Sequence, residues 1–243
     1  MRIGTRSTPA AGVALILTGA GILGASLLEL ATGARGDADN PTDSLAFLSE
    51  HGELYSYSGS AFTVAGVALV VAVLGIWQLV GTVGLAFASA SVLGILGGGF
   101  LIVNGILRMQ SVGTVPYIES MDQSWGESAY LAVQMAGTQG LMSAGLIILC
   151  AWLVSLGLLF ARRRIWGTAA FAAMPAMVLA ILLADLLIPG LDELGLDGLF
   201  VVYAAGLAIG VPLCCAAFGI SATLPRVRER LRLAPASTRA ASL

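Results

Sequence analysis

The sequence predicts an all-α membrane protein: a polytopic bundle of six transmembrane helices with the N-terminus and C-terminus cytoplasmic. Three observations lead there. First, 58% of the 243 residues are hydrophobic and only 11% charged, with a mean hydropathy of +0.92. A water-soluble domain carries about 25% charged residues on its surface. Second, the apolar residues fall in long runs, and a helix needs about 20 of them to cross a bilayer. Third, ten of the twelve arginines lie in the N-terminus, one internal connection and the C-terminal tail. Cytoplasmic connections concentrate basic residues in this way.

The first apolar run, 10–32, follows a short basic start with Arg2 and Arg6. A cleaved signal peptide has an apolar core of about 7–15 residues. This run is longer, so it is expected to remain as the first helix. Residues 33–59 are polar and acidic, carrying Asp37, Asp39, Asp43, Glu50 and Glu53. They are expected to form an outer loop, with a short surface helix around Leu45 to Leu54.

Residues 60–107 are nearly all apolar. As one helix they would extend about 70 Å at ~1.5 Å per residue, against a ~30 Å hydrocarbon core. The run must therefore fold back once, near Gln78 to Gly84, giving helices at 60–80 and 83–107. A polar connection follows, with Glu119, Asp122 and Glu127. The fourth helix is expected at 129–161 and ends at Arg162, Arg163 and Arg164. The fifth, at 165–188, stops at Pro189-Gly190, and the sixth runs over 199–224. The cytoplasmic tail, 225–243, holds Arg226, Arg228, Arg230 and Arg232, which anionic headgroups attract.

Small residues set the expected packing. Lipid tails are as apolar as leucine, so membrane helices associate by close approach of their backbones. Gly206 and Gly210, Gly94 and Gly98, Gly21 and Ala25, and the series Ala136, Gly140, Ala144 recur at four-residue spacing. They are expected to pack the bundle internally. Pro175 and Pro212 sit in mid-span, where each removes a backbone hydrogen bond and kinks its helix.

The composition excludes several chemistries. There is no lysine to form a Schiff base. His51 is the single histidine and is expected in the outer loop, so bis-histidine haem ligation within one chain is excluded. Cys150, Cys214 and Cys215 lie in apolar runs and are expected to be small buried hydrophobes, not a disulfide or zinc framework. No Gly-x-Ser-x-Gly elbow, His-Glu-x-x-His pair or phosphate-binding Gly-Lys-Ser/Thr loop occurs. No catalytic residue, metal site or cofactor is expected.

Polar residues inside a bilayer are costly and default to functional candidates. Glu29 lies about one turn from the outer end of the first helix, and Asp185 about one turn from that of the fifth. Asn104 and Arg108 on the third helix, and Gln134 on the fourth, share that depth. The expectation is an outward polar pocket in which Glu29 and Asp185 face Arg108 and the amides Asn104 and Gln134.

The layout resembles that of uncharacterised six-helix membrane proteins of GC-rich bacteria, a domain-of-unknown-function type. The features that carry it are the long polar segment 33–59, Ile76-Trp77-Gln78-Leu79 ending the second helix, and the three arginines before the fifth. The resemblance implies a multi-pass protein of the bacterial plasma (cell inner) membrane and carries over no catalytic residues. The expected function is non-catalytic: a small transporter or transporter subunit, with an accessory or scaffold subunit as the alternative. The expected partners are the lipid bilayer and another membrane protein or a second copy of the chain; nucleic acid is not one.

Overall fold

Apolar chain in lipid has no water to satisfy its backbone, so each run must close its hydrogen bonds within itself as a helix. A computed structural model describes residues 8–31, 41–80, 85–133, 137, 140–187 and 205–232, and among these no strand occurs. The elements are α1 (Thr8–Ala31), α2 (Pro41–Val80), α3 (Leu85–Glu119), α4 (Gln123–Val133), α5 (Ser143–Arg162), α6 (Trp166–Ala169), α7 (Ala173–Leu187), α8 (Val211–Thr223) and α9 (Pro225–Arg232). Six stretches are long and apolar enough to cross a membrane: Pro9–Glu29, Glu50–Val80, Phe87–Glu119, Gly140–Arg162, Trp166–Ala184 and Gly206–Thr223.

Several boundaries differ from those the sequence led us to expect. The segment expected as an outer loop is helical from Pro41, and α2 runs on through Val80 with one irregular residue, His51 (φ −120°, ψ 20°). Helix α3 continues to Glu119 instead of stopping near Leu107. Polar residues end a membrane crossing, not a helix: Thr42 to Ser60 is helical except at His51, where a kink divides α2, and Pro41 suits a first turn. At ~1.5 Å per residue α2 from its kink at His51 to Val80, and α3, reach about 45 and 52 Å, well beyond a ~30 Å core. Both therefore project from one face of the bundle. There α4 packs against them around a small apolar cluster of Leu48, Val115 and Tyr130.

The fourth and fifth spans are also less regular than expected. Instead of one helix over 129–161, α4 ends at Val133, and a π-helical turn that includes Gly140 to Met142 leads into α5. The fifth span begins as α6, tightens to a 3₁₀ turn at Ala170–Ala172 and resumes as α7. Pro175 has no N–H for the turn before it, which accounts for the local change in winding. A second π turn, Gly206–Gly210, precedes Pro212 in α8. Residues 188–204, which hold the expected start of the sixth helix, lie outside the described residues.

The core is contiguous and includes Leu15, Phe62, Leu69, Trp152, Phe160 and Phe218. Phe160 and Phe218 meet edge to face at 4.9 Å. All three cysteines are buried and free. Hydroxyls within the spans bond the carbonyl one turn back: Thr18 to Ala14 (3.0 Å), Thr63 to Gly59 (3.0 Å) and Ser155 to Ala151 (2.9 Å). Each is thus satisfied without a partner helix. At one end of the bundle α9 tucks Leu231 into the core. There Arg163 donates to the Arg230 carbonyl (3.4 Å) and Arg230 to the Arg164 carbonyl (3.3 Å), which brings two arginine-rich segments together.

The start of α4 carries a small, testable device. The Asp122 carboxylate accepts hydrogen bonds from the Ser124 hydroxyl (2.5 Å), the Ser124 amide (2.8 Å) and the Trp125 amide (3.3 Å), an N-cap. The Ser124 hydroxyl bond, then the Trp125 amide, hold its pKa below the usual Asp value of about 3.9. A lowered carboxylate pKa stabilises above the unfolded value and is lost as pH falls through the folded one. Asp122→Ala is expected to accelerate hydrogen exchange at the Ser124 and Trp125 amides at neutral pH. Protonating Asp122 with acid should likewise lower the protection factors of these amides in the wild type, measured against the intrinsic exchange rate at the same pH. Unchanged exchange in the variant would show that the cap contributes nothing.

Candidate functional site

One group of polar side chains meets at the end from which α2, α3 and α4 project. Glu29 ends the first span, and Arg108 lies about 32 Å along the third from Phe87, close to the full ~30 Å of a hydrocarbon core. Seventy-nine residues apart in sequence, they form an ion pair, Arg108 Nη1 to Glu29 Oε1. The Arg108 side chain is 3% exposed and that of Glu29 26%.

Helix α2 completes the enclosure. Arg108 Nη1 also donates to Ser58 Oγ (3.1 Å), and Ser58 Oγ lies 3.4 Å from Glu29 Oε1 as a donor. The guanidinium sits 4.9 Å from the Phe62 ring centre and 5.3 Å from that of Tyr55, within cation–π range. On its other side Nη2 points at Met142 Sδ (3.4 Å), the last residue of the π turn that leads into α5. One guanidinium therefore touches groups from α1, α2 and the fourth span while standing on α3.

Local sequence explains the convergence. Gly59 follows Ser58, and a Cβ built there would lie 2.6 Å from the Gly105 carbonyl and 3.0 Å from Arg108 Cβ. Only glycine lets α2 approach α3 at this level, so Ser58 can reach the guanidinium. One turn before Arg108, Asn104 is fully buried, and neither its Oδ1 nor its Nδ2 has a hydrogen-bond partner among the described residues. A buried amide without partners costs about 1–3 kcal/mol. Gly137 lies over it: a Cβ there would stand 3.6 Å from Asn104 Oδ1.

Of the five residues expected in the pocket, Glu29, Asn104 and Arg108 occupy one end of the α1–α2–α3 group. Gln134 lies outside the described residues. Asp185 stands on α7, which packs mainly against α5 and the sixth span; its side chain is also outside the described residues. Tyr55, Ser58, Phe62 and Met142 were not anticipated. The first three recur at helical spacing on α2, a pattern legible only once residues 50–59 are known to be helical. No protein-family model, curated protein or solved structure matches this chain. Its function must therefore be argued from the membrane bundle and this polar centre alone.

Proposed function

We propose that this chain is a non-catalytic transport protein of the plasma membrane, or the subunit of a transporter, with Glu29, Arg108 and Asn104 at its binding centre. The observation that carries this reading is Arg108. Its buried guanidinium joins three spans and abuts a π-helical turn in the fourth. Irregular helix beside buried polar groups is where transporters bind their cargo, and π turns gather at functional sites. A small carboxylate or phosphate solute would compete with Glu29 for Arg108, since the fork of donors fits either anion. Asn104 would supply the neutral donor and acceptor beside it. Exchange of the internal carboxylate for the solute would loosen α1 from α3.

The test is flux. Wild-type protein in liposomes is expected to carry small organic anions or protons above the rate of protein-free vesicles. Glu29→Gln and Arg108→Gln should abolish that flux. Screening the same solutes by thermal unfolding adds an independent measure: one present at 100 times its Kd stabilises the fold by about 2.7 kcal/mol. Neither flux nor stabilisation across a broad panel of anions would remove the reading.

One observation favours an assembly subunit instead. Within the fifth span 11% of the residues are buried, against 44–56% in the others. That span presents most of its surface outward, as a helix that receives a partner would. A stoichiometric membrane protein retained in mild detergent, and lost on Met174→Arg or Met177→Arg, would decide for this alternative.

A further inference from the structure

We infer that the groove between α6 and α8, at the arginine-rich end of the bundle, is a binding site for one anionic phospholipid. The groove is open along its length, with a volume of about 680 Å³, and is lined by Ile165, Trp166, Phe171, Leu213 and Ile220. Arg164 and Arg230 line it as well, both exposed, and none of its lining residues is acidic. Between basic mouth and apolar floor, Thr168 and Ser221 share a hydroxyl hydrogen bond of 2.7 Å. The order along the groove is that of a phospholipid: guanidinium for phosphate, hydroxyls at the level of the ester groups, apolar wall for acyl chain. Trp166 is 68% exposed at the level where tryptophan favours the headgroup boundary.

The backbone supplies an independent observation. Helix α5 ends in a Schellman turn, with Ile165 N–H bonded to the Phe160 carbonyl and Arg164 N–H to the Ala161 carbonyl, both at 2.9 Å. That turn needs a left-handed residue, usually glycine. Here it is Arg164, at φ 58°, and it is the one non-glycine residue with positive φ among those described. A side chain held in a conformation that glycine adopts freely points to a role for the side chain itself. The turn aims this arginine at the groove mouth, and Arg230 is fixed beside it by its bond to the Arg164 carbonyl. Two guanidiniums presented together suit a phosphodiester, which each can grip through paired donors.

The experiment uses the full chain in detergent. Dioleoyl phosphatidylglycerol, dioleoyl phosphatidylcholine and inorganic phosphate are titrated separately, with bound lipid counted by native mass spectrometry and melting followed in parallel. One phosphatidylglycerol is expected to bind well above phosphatidylcholine. Arg164→Gly with Arg230→Gln should weaken it about 30-fold, from the typical attraction of one basic residue for an anionic surface. Arg164→Gly alone should lower phosphatidylglycerol binding while keeping or raising the melting temperature, which separates loss of the ligand from loss of the fold. Arg226→Gln with Arg232→Gln, both outside the groove, should leave the bound lipid in place. Equal loss in that control would mean diffuse attraction to the tail and would overturn the site. So would equal binding of the two lipids, or equal protection by millimolar inorganic phosphate alone.

Discussion

Arg108→Ala is expected to destabilise the bundle by about 3–5 kcal/mol, the usual result of leaving one member of a buried ion pair without its partner. The variant takes the counter-charge from Glu29, which keeps the Ser58 hydroxyl as a donor, and removes the cation from Phe62 and Tyr55. Glu29→Gln should lose less, because the amide oxygen still accepts from Arg108 and no cavity opens, but it leaves the 3%-exposed guanidinium without its counter-charge. Replacing both residues with methionine should recover most of the loss, since a buried pair exchanged for apolar residues of similar volume is often neutral. Chemical unfolding in detergent of the wild type, Arg108→Met, Glu29→Met and the double methionine variant gives the coupling energy directly. A double variant no more stable than Arg108→Ala would contradict the ion pair as the source of the effect. The same double variant bears on function: if it folds and no longer carries flux, the pair serves binding. Normal flux without either charge would reduce Glu29 and Arg108 to a tie between helices.

The spans were legible in the sequence because their signal is redundant: some twenty apolar residues each, punctuated by charge. What lies beyond the bilayer was less so. Glu50 and Glu53 are exposed, yet Glu53 sits on the same unbroken helix as Val64 and Leu69. Hydropathy reports solvent and not backbone conformation, so helical structure begins well before Ser60 in α2 and runs past Arg108 in α3. The same error hid half the site. Tyr55 and Ser58 were assigned to a loop, while Glu29 and Arg108 stood out because charge near hydrocarbon is rare. Which helix faces which is a tertiary fact that depth alone does not supply.

Adjacent glycines on α3 are expected to respond to the same substitution in opposite directions. A Cβ at Gly98 would lie 2.9 Å from the Gly66 carbonyl and 2.8 Å from Val70 Cγ2, whereas a Cβ at Gly99 meets nothing within 4 Å. Gly98 belongs to a series. Gly59 faces Gly105 and Gly66 faces Gly98, so a step of seven residues along α2 is matched by seven back along α3. A seven-residue recurrence keeps one seam of each helix against the other, the geometry of left-handed antiparallel packing. The four-residue motif Gly94 and Gly98 overlaps this contact, with Gly94 wedged between Val73 of α2 and Trp152 of α5, each 3.0 Å from a Cβ built there. Without a hydrophobic drive between helices in lipid, attraction comes from this close approach, and a methyl that props the backbones apart weakens contacts along the whole seam. Gly98→Ala should thus destabilise by about 1–3 kcal/mol, the usual penalty for overpacking. Gly99→Ala should be neutral or gain up to about 1 kcal/mol, alanine's advantage over glycine within a helix. Thermal unfolding of the two variants in one detergent compares them side by side, with Gly98→Leu as the extreme case, expected to release α2 from α3 and lower the folded yield. Equal melting of Gly98→Ala and Gly99→Ala would mean that the seam does not hold these two helices together.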